Sequence, residues 1–244
     1  MNESNVLHTG TRGSRIIGIL ALIGLAWMVV FGLLISPPDE VQGDNVRYLY
    51  LHVPAAFLTF TAFGVTAVSS ILYLWKRTRS LTWDRIAGCS AEIGVVLTAV
   101  TLATGMLWGK LSWGVYWRWD ALLTSTALLL VMFIGYLALR GLEASPQVRA
   151  RRCAIVGIIA FLDVPLIHFS VNWWRTLHQP ASIGPRKTTF DGPMLLSFFV
   201  SLVAFILVYI WLMMHRNRLA MMEQAMDDHG LQMAIAERHA EVSA

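Results

Sequence analysis

Six predominantly apolar runs, at about 16–36, 53–75, 90–109, 120–140, 153–174 and 193–214, leave this chain few ways to fold. Each is long enough to cross the hydrocarbon core of a bilayer, which takes roughly 20 residues as helix. A lone segment in lipid must satisfy its own backbone hydrogen bonds, so helix is the form expected. Of 244 residues, 56% are hydrophobic and only 14% charged. Soluble domains carry about a quarter charged residues, so that class is excluded. The expectation is an all-α integral membrane protein with six transmembrane helices in a membrane domain over 1–214. A polar tail, 215–244, follows. The first run is too long for a cleaved signal peptide, and Ser36-Pro37-Pro38 after it offers no small-residue cleavage site. It is expected to remain as a membrane helix.

Orientation follows from the basic residues of the short loops. Thirteen of the nineteen Lys and Arg fall on the side of the two termini and six on the other, which predicts both termini in the cytoplasm. The net charge of +4 is then a matter of topology and calls for no nucleic acid. Cys89 and Cys153 lie at cytoplasmic ends of spans and form no CxxC pair. They read as small buried hydrophobes. In the tail, Met221, Met222, Met226, Met233 and Ile235 are scattered among charges. That pattern leaves a surface amphipathic helix and disorder both open.

The external loops hold the distinctive chemistry. "LWGKLSWGVYWRWDAL", residues 107–122, packs Trp108, Trp113, Trp117, Trp119 and Tyr116 into one connection. An interfacial belt of indoles places one or two at a helix end, which suits Trp75, Trp83 and Trp211 but not residues in the middle of a loop. Trp113 and Trp117 are four apart, so a short interfacial helix would stack them on one face. Gly109 and Gly114 would permit a turn or close approach. A rigid apolar shelf for a flat ligand is the expectation, with indole N–H groups at its edges.

Two histidines stand beside this shelf. His52 precedes Val53-Pro54 and is expected at the outer mouth of the second span. His178 follows Trp173-Trp174-Arg175 at the outer end of the fifth. Either alone reads as a capping or interfacial residue. Together, at matched depth with tryptophan between them, they suit the two axial positions of a haem iron. The propionates would seek Arg47, Arg118, Arg175, Arg186 or Lys187. His168, deeper in the fifth span, reads as an internal hydrogen-bonding residue. The remaining histidines (His8, His215, His229, His239) are expected to be solvated. Asp163 is an ionisable group near mid-span beside Pro165, and it is left without a role.

"WGVYWRWD" at 113–120, "YLHVPAAF" at 50–57 and "VNWWRTLHQP" at 171–180 resemble the WD-motif haem-handling proteins of cytochrome c maturation, in particular the CcmC family of haem exporter protein C. The resemblance spans the chain apart from its polar tail. It implies that His52 and His178 ligate haem iron and that Trp113, Gly114, Trp117, Trp119 and Asp120 cradle the macrocycle, with Trp108, Trp174, Arg118 and Arg47 nearby. Asp39, Gln42 and Arg47 resemble positions used near the chaperone and the haem. The implied function is transient, non-covalent binding of haem b at the periplasmic face of a bacterial inner membrane. From there haem passes to the chaperone CcmE, in company with CcmD and the ABC-type complex CcmAB. The chain has no Walker motif, so ATP would be handled by a partner, and no CxxCH site, so haem would not be attached to it. An electron-transfer cytochrome would need a second haem site, for which no inner histidine pair exists. A haem-independent permease or scaffold would be colourless.

Overall fold

The computed structural model describes residues 10–174, 176–178 and 192–243. Among them are seven α-helices and no strand, only an isolated bridge between Asp39 and Gly43. They are α1 (Arg12–Trp27), α2 (Leu49–Leu74), α3 (Leu81–Trp113), α4 (Ala121–Arg140), α5 (Pro146–Phe161), α6 (Asp163–Trp173) and α7 (Gly192–Ser243). Six helical segments are long and apolar enough to cross a membrane. The fifth is α5 and α6 together, interrupted by a turn at Leu162.

Three boundaries differ from the sequence expectation for a physical reason. A 3-10 helix, Asp44–Tyr48, runs straight into α2, so the second span begins at Leu49 and Pro54 lies within it. His52 is therefore in the first turn of α2. The third span extends at both ends. Ser80 caps its start by accepting from the Thr82 amide, and Gly114 closes its end at φ +77°, in the left-handed region. Its 33 residues make a rod of about 50 Å. The tail is neither a separate surface helix nor disordered, because α7 continues unbroken from Gly192 to Ser243. The guanidinium of Arg216 donates to both carboxylate oxygens of Glu92 on α3. Arg85 donates to Asn217 Oδ1 at 3.0 Å and Gln224 Oε1 at 3.3 Å, which carries the attachment into the tail.

The centre of the bundle is α2 against α3, with α5 and α7 also packed on α2. Phe63 of α2 stacks on Phe133 of α4 with centroids 3.7 Å apart, inside a cluster completed by Leu129, Tyr136 and Ala160. Helix α1 lies at the edge, packed on α7, where Gly24 meets Ala204 so closely that a Cβ would stand 2.7 Å from the alanine methyl. Close backbone approach of this kind is how membrane helices gain packing when lipid offers no hydrophobic drive. Cys89 and Cys153 are both buried free thiols, as the sequence suggested.

Both ends of α3 are chemically occupied. At its start, buried Asp84 takes two hydrogen bonds from Arg140 of α4, Nη1 to Oδ1 at 2.6 Å and Nη2 to Oδ2 at 3.1 Å. Arg149 of α5 approaches the same carboxylate at 4.0 Å. This cluster ties three helices together at the end opposite the tryptophan loop.

Candidate functional site

The site is built around the last three turns of α3. Thr104 faces α2, and its Oγ1 lies 3.0 Å from Nδ1 of His52. The same hydroxyl is 2.7 Å from the carbonyl of Val100 and 3.2 Å from that of Thr101. With its proton on the Val100 carbonyl, the nearer of the two, the Thr104 oxygen accepts from Nδ1–H of His52, the tautomer that frees the Nε2 lone pair to act as a ligand. Gly105 completes the seat, since a Cβ there would be 2.9 Å from Cε1 of the imidazole. Sequence reasoning missed both residues. A threonine and a glycine in an apolar helix carry no visible signal until α2 is laid beside α3.

Trp108, one turn on, holds the other side of His52. The rings are edge to face with centroids 5.7 Å apart. The indole Nε1 donates to Oε1 of Gln42 at 2.9 Å, so the loop after the first span sets the tryptophan's orientation. That loop is itself turned by Asp39, whose Oδ1 accepts from the amides of Val41 and Gln42. Arg47 is engaged nearby. It donates to the carbonyls of Leu33 and Ser36 at the end of a π-helical segment (Met28–Ile35), and pairs with Asp44 at 2.9 Å. Asp39 and Gln42, expected to face a partner, shape the site from within its own chain. Arg47, expected to meet haem, caps the first span.

The expected interfacial helix over Trp113–Trp117 does not form. Gly114 ends α3 directly after Trp113, and the chain to Asp120 is irregular. Lys110 secures the turn, donating to the carbonyl of Gly114 at 2.9 Å while lying over the Tyr116 ring. Trp113 instead meets His178, with centroids 6.2 Å apart and an interplanar angle of 63°. Trp117 and Trp119 pack edge to face, and Trp119 is 80% exposed. Asp120 caps α4 by accepting from the Leu123 amide, and its second oxygen accepts from the amide of Leu177 at 3.4 Å. The aspartate of the signature thus attaches the tryptophan loop to the residue before His178.

These contacts bring His52 and His178 to the same end of α3. Gly105, Gly109, Trp113, Trp117, Arg118 and Leu177 line a narrow cleft there. Nε1 of Trp117 is buried with no hydrogen-bond partner among the described residues, a donor waiting for an acceptor. Trp173 and Trp174 are exposed at the end of α6. Arg175, Arg186 and Lys187, named as propionate partners, lie outside the described residues, as does His8. Among the described residues no three His, Cys, Asp or Glu side chains converge to hold a bare metal ion. Two imidazoles beside an indole-lined cleft suit a metal that brings its own equatorial ligands.

Two other expectations change. His168 is not internal. It lies on the exposed face of α6, while Asp163, Val164, Ile167 and Ser170 form the buried one. His215 is half-buried against Trp211, with centroids 4.9 Å apart, in place of being solvated. Asp163 is buried at the α5–α6 break, and its Oδ2 has no partner among the described residues.

The fold is that of a multi-pass helical membrane protein, with His52, His178 and several tryptophans gathered at one end of its bundle. The model of the heme exporter protein C family, CcmC, matches residues 2–232. The Haemophilus influenzae protein named heme exporter protein C is 34% identical over 212 residues, covering 86% of this chain and 85% of its own. The Escherichia coli K12 protein of the same name is 34% identical over 198 residues, 77% of this chain and 79% of its own. A Marchantia polymorpha protein named putative cytochrome c biosynthesis ccmC-like mitochondrial protein is 38% identical over 189 residues, 75% of this chain and 79% of its own. The chain belongs to the CcmC family.

If the Thr104 hydroxyl orients His52, replacing it should weaken haem binding without abolishing it. Thr104→Val is expected to lower haem affinity about 10- to 100-fold, the usual effect of losing a partner behind a metal-bound imidazole. Thr104→Ser should retain near-normal affinity. Haem titration of the purified variants in detergent checks both.

Proposed function

We propose that this chain takes part in cytochrome c maturation by binding haem through His52 and His178 and presenting it to the chaperone CcmE. Haem here is cargo. The observation that carries the reading is the seat of His52, where Thr104 and Gly105 hold the imidazole beside Trp108, while Trp113 at the end of the same helix lies against His178. Trp108 and Trp113 supply apolar walls. Arg118 and the Nε1–H of Trp117 supply donors suited to a propionate carboxylate.

The site sits at a rim, and Trp113 and Trp119 remain 40% and 80% exposed. An exposed rim suits transient, non-covalent holding of haem b, because a second protein can reach the porphyrin edge while two replaceable bonds hold its iron. The surplus of Lys and Arg at the opposite end supports a periplasmic rim in a bacterial inner membrane, with both termini cytoplasmic. CcmD and the CcmAB complex are the expected neighbours, with ATP hydrolysis in CcmA. Here Asp39, Gln42 and Arg47 act by setting the loop on which CcmE would dock.

The test is the absorption spectrum of the detergent-solubilised protein, expressed with ample haem and recorded with and without dithionite. A Soret band that shifts on reduction is expected. A colourless protein contradicts the reading and returns the tryptophans to lipid or partner packing.

A further inference from the structure

The exposed face of α6 is unlike those of the other spans. Pro165, Leu166, His168, Phe169, Asn172 and Trp173 turn away from the bundle, within a segment apolar enough to cross a membrane. Leu166 is what a bilayer-facing helix needs. A histidine is not, because a polar ring facing hydrocarbon is costly and by default points to use. His168 is five residues before Trp173, so it stands about 7.5 Å below that end of the helix. It is too deep to belong to the rim and faces the wrong way to belong to the core.

Its neighbours form a surface for a flat molecule. Phe169 and Trp173 stack with centroids 5.4 Å apart and planes 25° from parallel. His168 meets Phe169 edge to face at 5.0 Å. Trp174 continues the series, 5.8 Å from Trp173. Beyond it the chain reaches Leu177, held by Asp120, and His178, packed against Trp113. The aromatic series therefore starts on the exposed face of α6 and reaches Trp174, four residues before His178. An occupant must be flat, apolar and able to use one imidazole.

We propose that His168, Phe169 and Trp173 form a receiving site that takes haem from the membrane leaflet at the tryptophan end and passes it to the His52–His178 rim. This inference rests on the haem-binding reading above. The step is ligand exchange only. A nitrogen lone pair of His168 occupies one axial position of the iron, and that bond breaks as the bond to His178 forms. No electron or proton need move. The aromatic face holds the macrocycle during the exchange by apolar contact.

The experiment compares wild type, His168→Phe and His168→Met in liposomes, loaded either from haemin-bearing vesicles or from haemin on albumin in solution. Loading is followed by the absorption of the rim-bound haem. His168→Phe is expected to slow loading from vesicles at least ten-fold, while leaving the rate from albumin and the final spectrum unchanged. His168→Met, which restores a ligand of another kind, should recover most of the rate. Equal vesicle rates for wild type and His168→Phe would overturn the proposal, as would slowing from both donors alike. A changed final spectrum would overturn it too, by making His168 a permanent ligand. Should His168→Phe load normally but lose co-purifying membrane subunits, the face is a helix interface and haem capture is refuted. A wild type that takes up no haem from either donor fails the haem reading itself, and this inference with it.

Discussion

The double variant His52→Ala, His178→Ala is expected to purify from membranes as a folded protein without haem. Each imidazole supplies one of the two proposed protein bonds to the iron, and the remaining contacts are apolar or made at the porphyrin edge. Removing both leaves an indole-lined cleft with no hold on the metal, so co-purifying haem should fall at least a hundred-fold. Folding should survive, because both histidines lie at one end of the bundle, away from the Phe63–Phe133 centre. The single variants should differ from each other. His52→Ala also leaves the Thr104 hydroxyl unpaired on that side, whereas His178→Ala removes a ring at the exposed rim. Haem per protein by absorbance, with elution volume as the control for folding, reads the outcome. Full haem content in the double variant would refute the ligand assignment.

The second large effect is expected at the far end of the same helix. Asp84 is 5% exposed and holds the Arg140 guanidinium through two oxygens. Asp84→Asn keeps the shape but removes the charge, leaving a largely buried cation without its counter-ion. Breaking a buried pair from one side typically costs about 3–5 kcal/mol. The variant should therefore denature at clearly lower temperature in detergent. At low temperature its haem spectrum should match wild type, since α3 separates the ion pair from His52 by most of its length. Thermal denaturation within error of wild type would show that solvent takes over the solvation of Arg140 and that the pair does not hold the bundle together. A lost haem spectrum at low temperature would show that the two ends of α3 are coupled.

Hydropathy made the six spans legible because lipid demands uninterrupted apolar helix, and that demand is written directly in composition. The paired histidines and the tryptophan loop were legible because such residues are rare enough to stand out. What escaped depends on neighbours. Thr104 and Gly105 are ordinary in a membrane helix, and only the approach of α2 gives one a histidine to orient and the other a ring to admit. The spacing of Trp113 and Trp117 suggested a helix, but the left-handed turn at Gly114 takes precedence. The attachment that Asp120 makes to the amides of Leu123 and Leu177 could not be read from the signature alone. The facing of His168 could not be read from one helix, because a three- to four-residue period gives a buried side only once packing has chosen it. The attachment of the start of the tail to Glu92 and Arg85, partners more than a hundred residues away, was likewise invisible in the sequence.

Whether the two imidazoles share one iron is best decided by electron paramagnetic resonance of the ferric, haem-loaded protein, recorded beside His52→Ala and His178→Ala. Two axial imidazoles give a low-spin, six-coordinate signal in the wild type, and each single substitution should convert it to a high-spin one. A high-spin wild-type signal, or a low-spin signal that survives either substitution, would contradict the shared-iron site.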